Sequence, residues 1–127
     1  MRKFDTGATR DNDDGKLDFE GFLSPFALER FGQFMHAHRR QADGELRDSD
    51  NWQRGIPVEA YMKSLLRHVF ALWKIHRGGK ATDEKGQRCD EQDELCAIVF
   101  NAMGLLDVLV KQEQQGSINT PMYPVFD

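Results

Sequence analysis

Apolar residues return every three to four positions in three stretches of the chain, the spacing of a helix that hides one face. Leu28, Phe31, Phe34 and Met35 form the first stripe, with Glu29, Gln33, His36 and Arg40 on the polar side. Ser24 supplies a capping oxygen and Pro25 suits the first helical position, so the pattern predicts a helix over 25–38. Met62, Leu65, Leu66, Val69, Leu72 and Trp73 predict a second helix over 57–76, opened by Pro57. Leu95, Ile98, Val99, Ala102, Leu105, Leu106 and Leu109 predict a third over 91–114, and its stripe is expected to be buried. No segment alternates with period two and no internal repeat is present, so the expected class is all-α, a bundle of three main helices.

The segments between and around the helices are polar or irregular. Residues 41–57 and 77–90 are loops by composition, although Trp52 sits among turn residues in the first. Residues 1–15 lack periodicity and read as part of an extended arm over 1–20, and 115–127 as an irregular tail with two prolines. The run from Gly15 to Phe26 mixes Lys16, Asp18 and Glu20 with Phe19, Phe22 and Phe26. Leu23 and Phe26 are expected to lead into the first helix. Phe19 and Phe22 are expected to anchor the arm on the bundle or on a neighbouring subunit, leaving the charged residues to face a ligand or interface. A chain of 127 residues with 39% hydrophobic content fits one domain, 1–127, small enough to gain from self-association.

Charge narrows the partners. A formal net charge of −4 disfavours binding to a phosphate backbone, so no direct nucleic-acid contact is expected. Cys89 and Cys96 are too few for a disulfide framework and have no zinc-ligand spacing, which fits reduced intracellular thiols. No apolar run approaches membrane length, so a cytoplasmic protein with no membrane contact is expected.

Candidate chemistry concentrates at the start of the third helix. Asp90, Glu91, Asp93 and Glu94 would complement the helix dipole in any case, and on residue types alone that is the stronger explanation. Carboxylates projecting between antiparallel helices also hold hard divalent cations. Glu94 and Asn101 lie at i and i+7, and Asp93 and Asn101 at i and i+8, so all three can reach one side, with Glu29 and His68 completing a site from the other helices. Taken alone, His68 beside Arg67 reads first as a partly buried histidine next to a surface cation; within a site it suits a phosphate donor, or a ligand if the metal is manganese. Asn51-Trp52 reads evenly as a plugged turn or as an amide and ring for a flat ligand. No Walker A, GxGxxG or Gly-x-Ser-x-Gly motif is present.

Four segments carry a resemblance. TGATRDNDDGKLDFEGFLSPFALERFGQFMHAHR, DSDNWQRGIP, YMKSLLRHVFALW and LCAIVFNAMGLLD together resemble the phage and prophage dATP/dGTP diphosphohydrolase (MazZ) family, a divergent branch of the MazG-like all-α NTP pyrophosphatases. The segments cover most of residues 6–110. The resemblance implies hydrolysis of a deoxynucleoside triphosphate, dGTP before dATP, to the monophosphate and pyrophosphate with Mg²⁺ or Mn²⁺. It further implies a homo-oligomer, dimer or tetramer, and a role such as supplying dGMP for 2-aminoadenine DNA.

MazG-like enzymes carry Glu-x-x-Glu on one helix and Glu-x-x-Asp on the next. Here the second helix offers Arg67-His68, and Glu94 is followed at i+3 by Ala97. The ligand set expected from the resemblance is Glu94, Asp93 and Glu29, with Asn101 as a weaker fourth, and Glu29 or Glu94 as the base that orients water. Lys16, Arg67 and His68 would hold the outgoing pyrophosphate and Asn51 and Trp52 the base or sugar. The alternative, motivated by the altered pattern, is a non-catalytic helical nucleotide-binding or regulatory phage protein.

Overall fold

The computed structural model describes residues 2–83 and 85–116. In chain order the elements are β1 (Arg2–Lys3), β2 (Thr9–Arg10), α1 (Phe19–Phe22), α2 (Pro25–Ala37), a 3₁₀ turn (Asn51–Arg54), α3 (Val58–His76), β3 (Ala81–Thr82), β4 (Arg88–Cys89) and α4 (Glu91–Gly116). The fold is all-α, with two minimal antiparallel ribbons, β1–β2 and β3–β4, added to it.

Local chemistry sets the helix ends. The Ser24 hydroxyl accepts from the Ala27 N–H at 3.1 Å, with Pro25 behind it. At the other end of α3, the Gly78 N–H donates to Ile75 O at 3.0 Å and the Gly79 N–H to Lys74 O at 2.7 Å. That pair of bonds needs a left-handed residue just past the helix, and Gly78 sits at φ +89°. α4 opens on a reciprocal box: the Asp90 carboxylate accepts from the Asp93 N–H at 2.8 Å and the Asp93 carboxylate from the Asp90 N–H at 3.3 Å.

The arm is not featureless. The Phe4 N–H bonds to Ala8 O and the Gly7 N–H to Phe4 O, both at 2.9 Å, closing β1 on β2, and Gly7 takes φ +89° in the turn. Arg2 ties the ribbon to Asp13 at 2.9 Å. α1 is a single turn capped by Asp18, whose carboxylate accepts from the Gly21 N–H. Of the expected tail, 115 and 116 belong to α4 and 117–127 lie outside the described residues.

The core is not the one the apolar stripes predict. α3 packs along α4, and α2 meets α4 near its start. The residues these contacts bury are Tyr61, Glu94, Cys96, Ala97, Asn101 and Gly104, mostly small or polar. Of the stripes expected to form the core, Leu28, Met62, Leu66, Val69, Trp73, Leu95, Val99, Leu106 and Leu109 are exposed. Only a subset, including Phe31, Phe34, Leu65, Leu72, Ile98 and Leu105, is half-buried. Small residues on α4 let the two backbones approach along one edge, which turns the bulky edge outward. Nor do Phe19, Phe22, Leu23 and Phe26 dock on their own bundle; Phe26 is 87% exposed.

Candidate active site

One buried acid stands out where α3 faces α4. Glu94 is only 3% exposed, and the His68 Nδ1–H donates to its Oε2 at 2.6 Å. An ionised carboxylate only accepts, so the bond places the proton on Nδ1 and leaves Nε2 of a half-exposed ring without a hydrogen-bond partner among the described residues. Seven residues further along α4, Asn101 is 5% exposed and its amide donates to Ala97 O at 2.8 Å. Glu94 and Asn101 do share the buried face, as their spacing predicts.

Asp93 turns elsewhere. It meets Arg30 of α2, whose guanidinium donates to Asp93 Oδ1 and to Gln92 Oε1, each at 2.9 Å. Burial pushes the Asp93 carboxyl up, but the Arg30 guanidinium and the bonds from Asp90 outweigh it and hold the group below its ordinary range. Glu29, one residue before Arg30 and about 100° around the helix, is exposed without an ion pair among the described residues. Among those residues no group of three or more His, Cys, Asp or Glu side chains gathers as a metal shell.

Two cavities flank the Glu94–His68 pair along the helix seam. One, of about 400 Å³, lies beyond the start of α4 and is lined by Lys80, Arg88, Cys89, Glu91 and Asp93, among others. Burial pushes the Cys89 thiol up to about 11, helped by the negative charges of Glu94, Asp83 and Asp93. The other, of about 220 Å³, lies near the start of α3 and is lined by Trp52, Ile56, Tyr61, Asp107, Val108 and Lys111, among others. Tyr61 is 1% exposed and its hydroxyl has no hydrogen-bond partner among the described residues.

A family model described as "dATP/dGTP diphosphohydrolase, N-terminal" matches residues 6–118. The chain belongs to the dATP/dGTP diphosphohydrolase family. No curated protein and no solved structure matches it. Family membership makes the chain a hydrolase and implies a nucleoside triphosphate as substrate. Among the described residues no helix is long and apolar enough to cross a membrane.

Seen as a diphosphohydrolase, the chain brings Glu94, His68 and Asn101 to the α3–α4 seam and sets Asp93 beside them on the α2 side. Lys16 and Arg67 are exposed, and Asn51 and Trp52 are half-buried at the 3₁₀ turn, Trp52 facing the smaller cavity. Arg30, Tyr61, Asp107 and Lys111 were not among the residues the sequence singled out. Gly104 was the available signal, since a glycine inside a helix marks close approach by a neighbour, here Tyr61.

Proposed function

We propose that this diphosphohydrolase cleaves dGTP, with dATP as the second substrate, to the monophosphate and pyrophosphate. What supports the reading above all is the family match across residues 6–118, and the Glu94–His68 pair gives it a chemical centre. The buried Glu94 carboxylate fixes the His68 tautomer and stabilises the ring when it gains a proton. The Nε2 atom then takes the proton of the attacking water as general base. Lys80 and Arg88, at the larger cavity, bind the departing pyrophosphate.

A divalent cation fits the donor chemistry. A buried carboxylate beside an imidazole is an anion that a cation neutralises, and magnesium needs only one or two protein carboxylates when substrate phosphates share it. Glu94 would hold Mg²⁺ or Mn²⁺ together with the substrate phosphates, leaving His68 Nε2 to act as the base. The ion would neutralise phosphate charge and acidify a bound water. Arg30 holds Asp93 in place beside that pair, and Glu29 and Asn101 remain candidates for a fuller shell.

The active form is a homo-oligomer, dimer or tetramer. Outward Leu66, Phe70, Trp73, Val99, Met103 and Leu106 give α3 and α4 an apolar face that a second copy covers with the same face under two-fold symmetry. We place the enzyme in phage nucleotide metabolism within the host cytoplasm, where dGMP would feed synthesis of 2-aminoadenine DNA. A non-catalytic nucleotide-binding protein is the second reading, favoured by the lack of a three-ligand cluster among the described residues. Incubating the protein with each of the four dNTPs, with Mg²⁺ and with Mn²⁺, separates the two. Pyrophosphate release supports the enzyme, and binding without turnover supports the alternative.

A further inference from the structure

We infer that the cavity between the 3₁₀ turn and the far end of α4 receives the purine base, and that Asp107 selects guanine within it. The inference rests on the diphosphohydrolase reading and adds the residue that sets base preference. Tyr61 and His68 are seven residues apart on α3, the same face and about 10 Å along the axis. That is roughly the distance from a base to its own α-phosphate, so a nucleotide with its phosphates at His68 puts its base at Tyr61.

The walls suit a flat polar heterocycle. Trp52 offers a ring, with Ile56 and Val108 as apolar sides. On the polar side Lys111 Nζ stands 3.0 Å from Asp107 Oδ2 and 5.7 Å from the centroid of the Trp52 ring. A carboxylate next to an ammonium therefore borders the aromatic wall. The Tyr61 hydroxyl, at the back, is buried without a partner among the described residues, and such a group asks for a completing ligand or water. Asp107 is close enough to this hydroxyl to add to the upward shift that burial gives the phenol.

The edge of guanine matches this pair. Its N1–H and N2–H both donate to one carboxylate while O6 accepts from an ammonium, three bonds of which two are bidentate on Asp107. Adenine offers only N6–H to the carboxylate and N1 to the ammonium. Asp107 thus gains a second charge-assisted bond only with guanine. No step of bond making or breaking is involved.

The test compares dGTP with dITP, which lacks only the 2-amino group, in the wild-type enzyme and in Asp107→Asn. The wild type should favour dGTP over dITP by about 10- to 100-fold in kcat/KM, the worth of one hydrogen bond to a charged group. In Asp107→Asn that gap should close to within a few-fold while helical circular dichroism is unchanged. The same gap in both proteins overturns the inference. Calorimetric binding of dGMP and dIMP to both proteins keeps the two ideas apart. If no dNTP is hydrolysed yet the dGMP preference depends on Asp107, the catalytic reading fails and the base pocket stands. If dNTPs are hydrolysed with a preference indifferent to Asp107, the pocket fails alone.

Discussion

Gly104→Ala is the sharpest structural perturbation the fold offers. A Cβ at this position would lie 2.5 Å from Tyr61 Cε1 and Cζ and 2.6 Å from its hydroxyl oxygen. Carbon atoms in contact prefer about 3.5–4.0 Å, so roughly 1 Å must come from a ring that is 1% exposed and has little room to turn. In an unobstructed helix the same change gains about 1 kcal/mol. Overpacking a filled site costs about 1–3 kcal/mol, and contact with two ring carbons and the hydroxyl oxygen at once belongs in the upper half of that range. The net expectation is a loss of about 1–2 kcal/mol. Gly32→Ala is the control, because a Cβ there meets nothing within 4 Å, and it should gain about 1 kcal/mol. Both variants are compared with the wild type by urea denaturation at one protein concentration, since self-association shifts apparent stability. In a Tyr61→Leu background, Gly104→Ala should lose most of its penalty, which measures the coupling directly. Equal stabilisation by the two glycine replacements would refute the close approach of α3 and α4 at this point.

Three further outcomes follow from other parts of the molecule. The folded Asp93 carboxyl titrates below its unfolded value, so its contribution to stability is present above about pH 4 and is lost as pH falls through the depressed value. Thermal melts between about pH 2 and 5 should show a steeper acid loss for the wild type than for Arg30→Ala, and parallel curves would contradict the pairing. With its thiol raised to about 11, Cys89 should alkylate at pH 8 on the order of a hundredfold more slowly than free cysteine. Glu94→Gln should speed that labelling by removing a nearby negative charge, and mass-spectrometric mapping of the modified peptide reads both effects. Sedimentation should give a species at least twice the 14.6 kDa chain mass, and Leu66→Glu with Leu106→Glu should convert it to monomer; a wild-type monomer at micromolar concentration would sink the proposed interface.

The three long helices are legible because each carries its own punctuation, whereas the single turn of α1 begins where an extended arm over 1–20 is expected. Ser24-Pro25, Pro57, Gly78-Gly79 and Asp90 mark ends through hydrogen bonds made within a few residues, so no tertiary information is needed. The ribbons were not legible, since strands of two residues are too short to show alternation, and only Gly7 and the Asp83–Gly86 turn hint at them. Which face of each helix is buried was also hidden. An apolar stripe shows that something covers it, but not whether the cover is the same chain or another copy. The site divides the same way. His68 and Glu94 were assigned to one site and lie 2.6 Å apart. Glu29 stands out in the sequence because carboxylates suggest metal, yet Arg30, one position on, is the residue that reaches α4, in contact with Asp93 across 63 positions of sequence. Periodicity cannot choose between adjacent residues on a helix edge when the partner lies so far along the chain.

The central claim is that Glu94 and His68 form the centre of a dGTP-cleaving site. The most direct measurement follows dGTP with Mn²⁺ by chromatography that resolves every product, for the wild type and for Glu94→Gln. The prediction is dGMP and pyrophosphate in equal amounts from the wild type. In the variant the rate should fall about 10²- to 10⁴-fold with helical content retained, the range expected when a general base loses its support. Formation of dGDP and orthophosphate, or an unchanged rate in a folded Glu94→Gln protein, would contradict the claim.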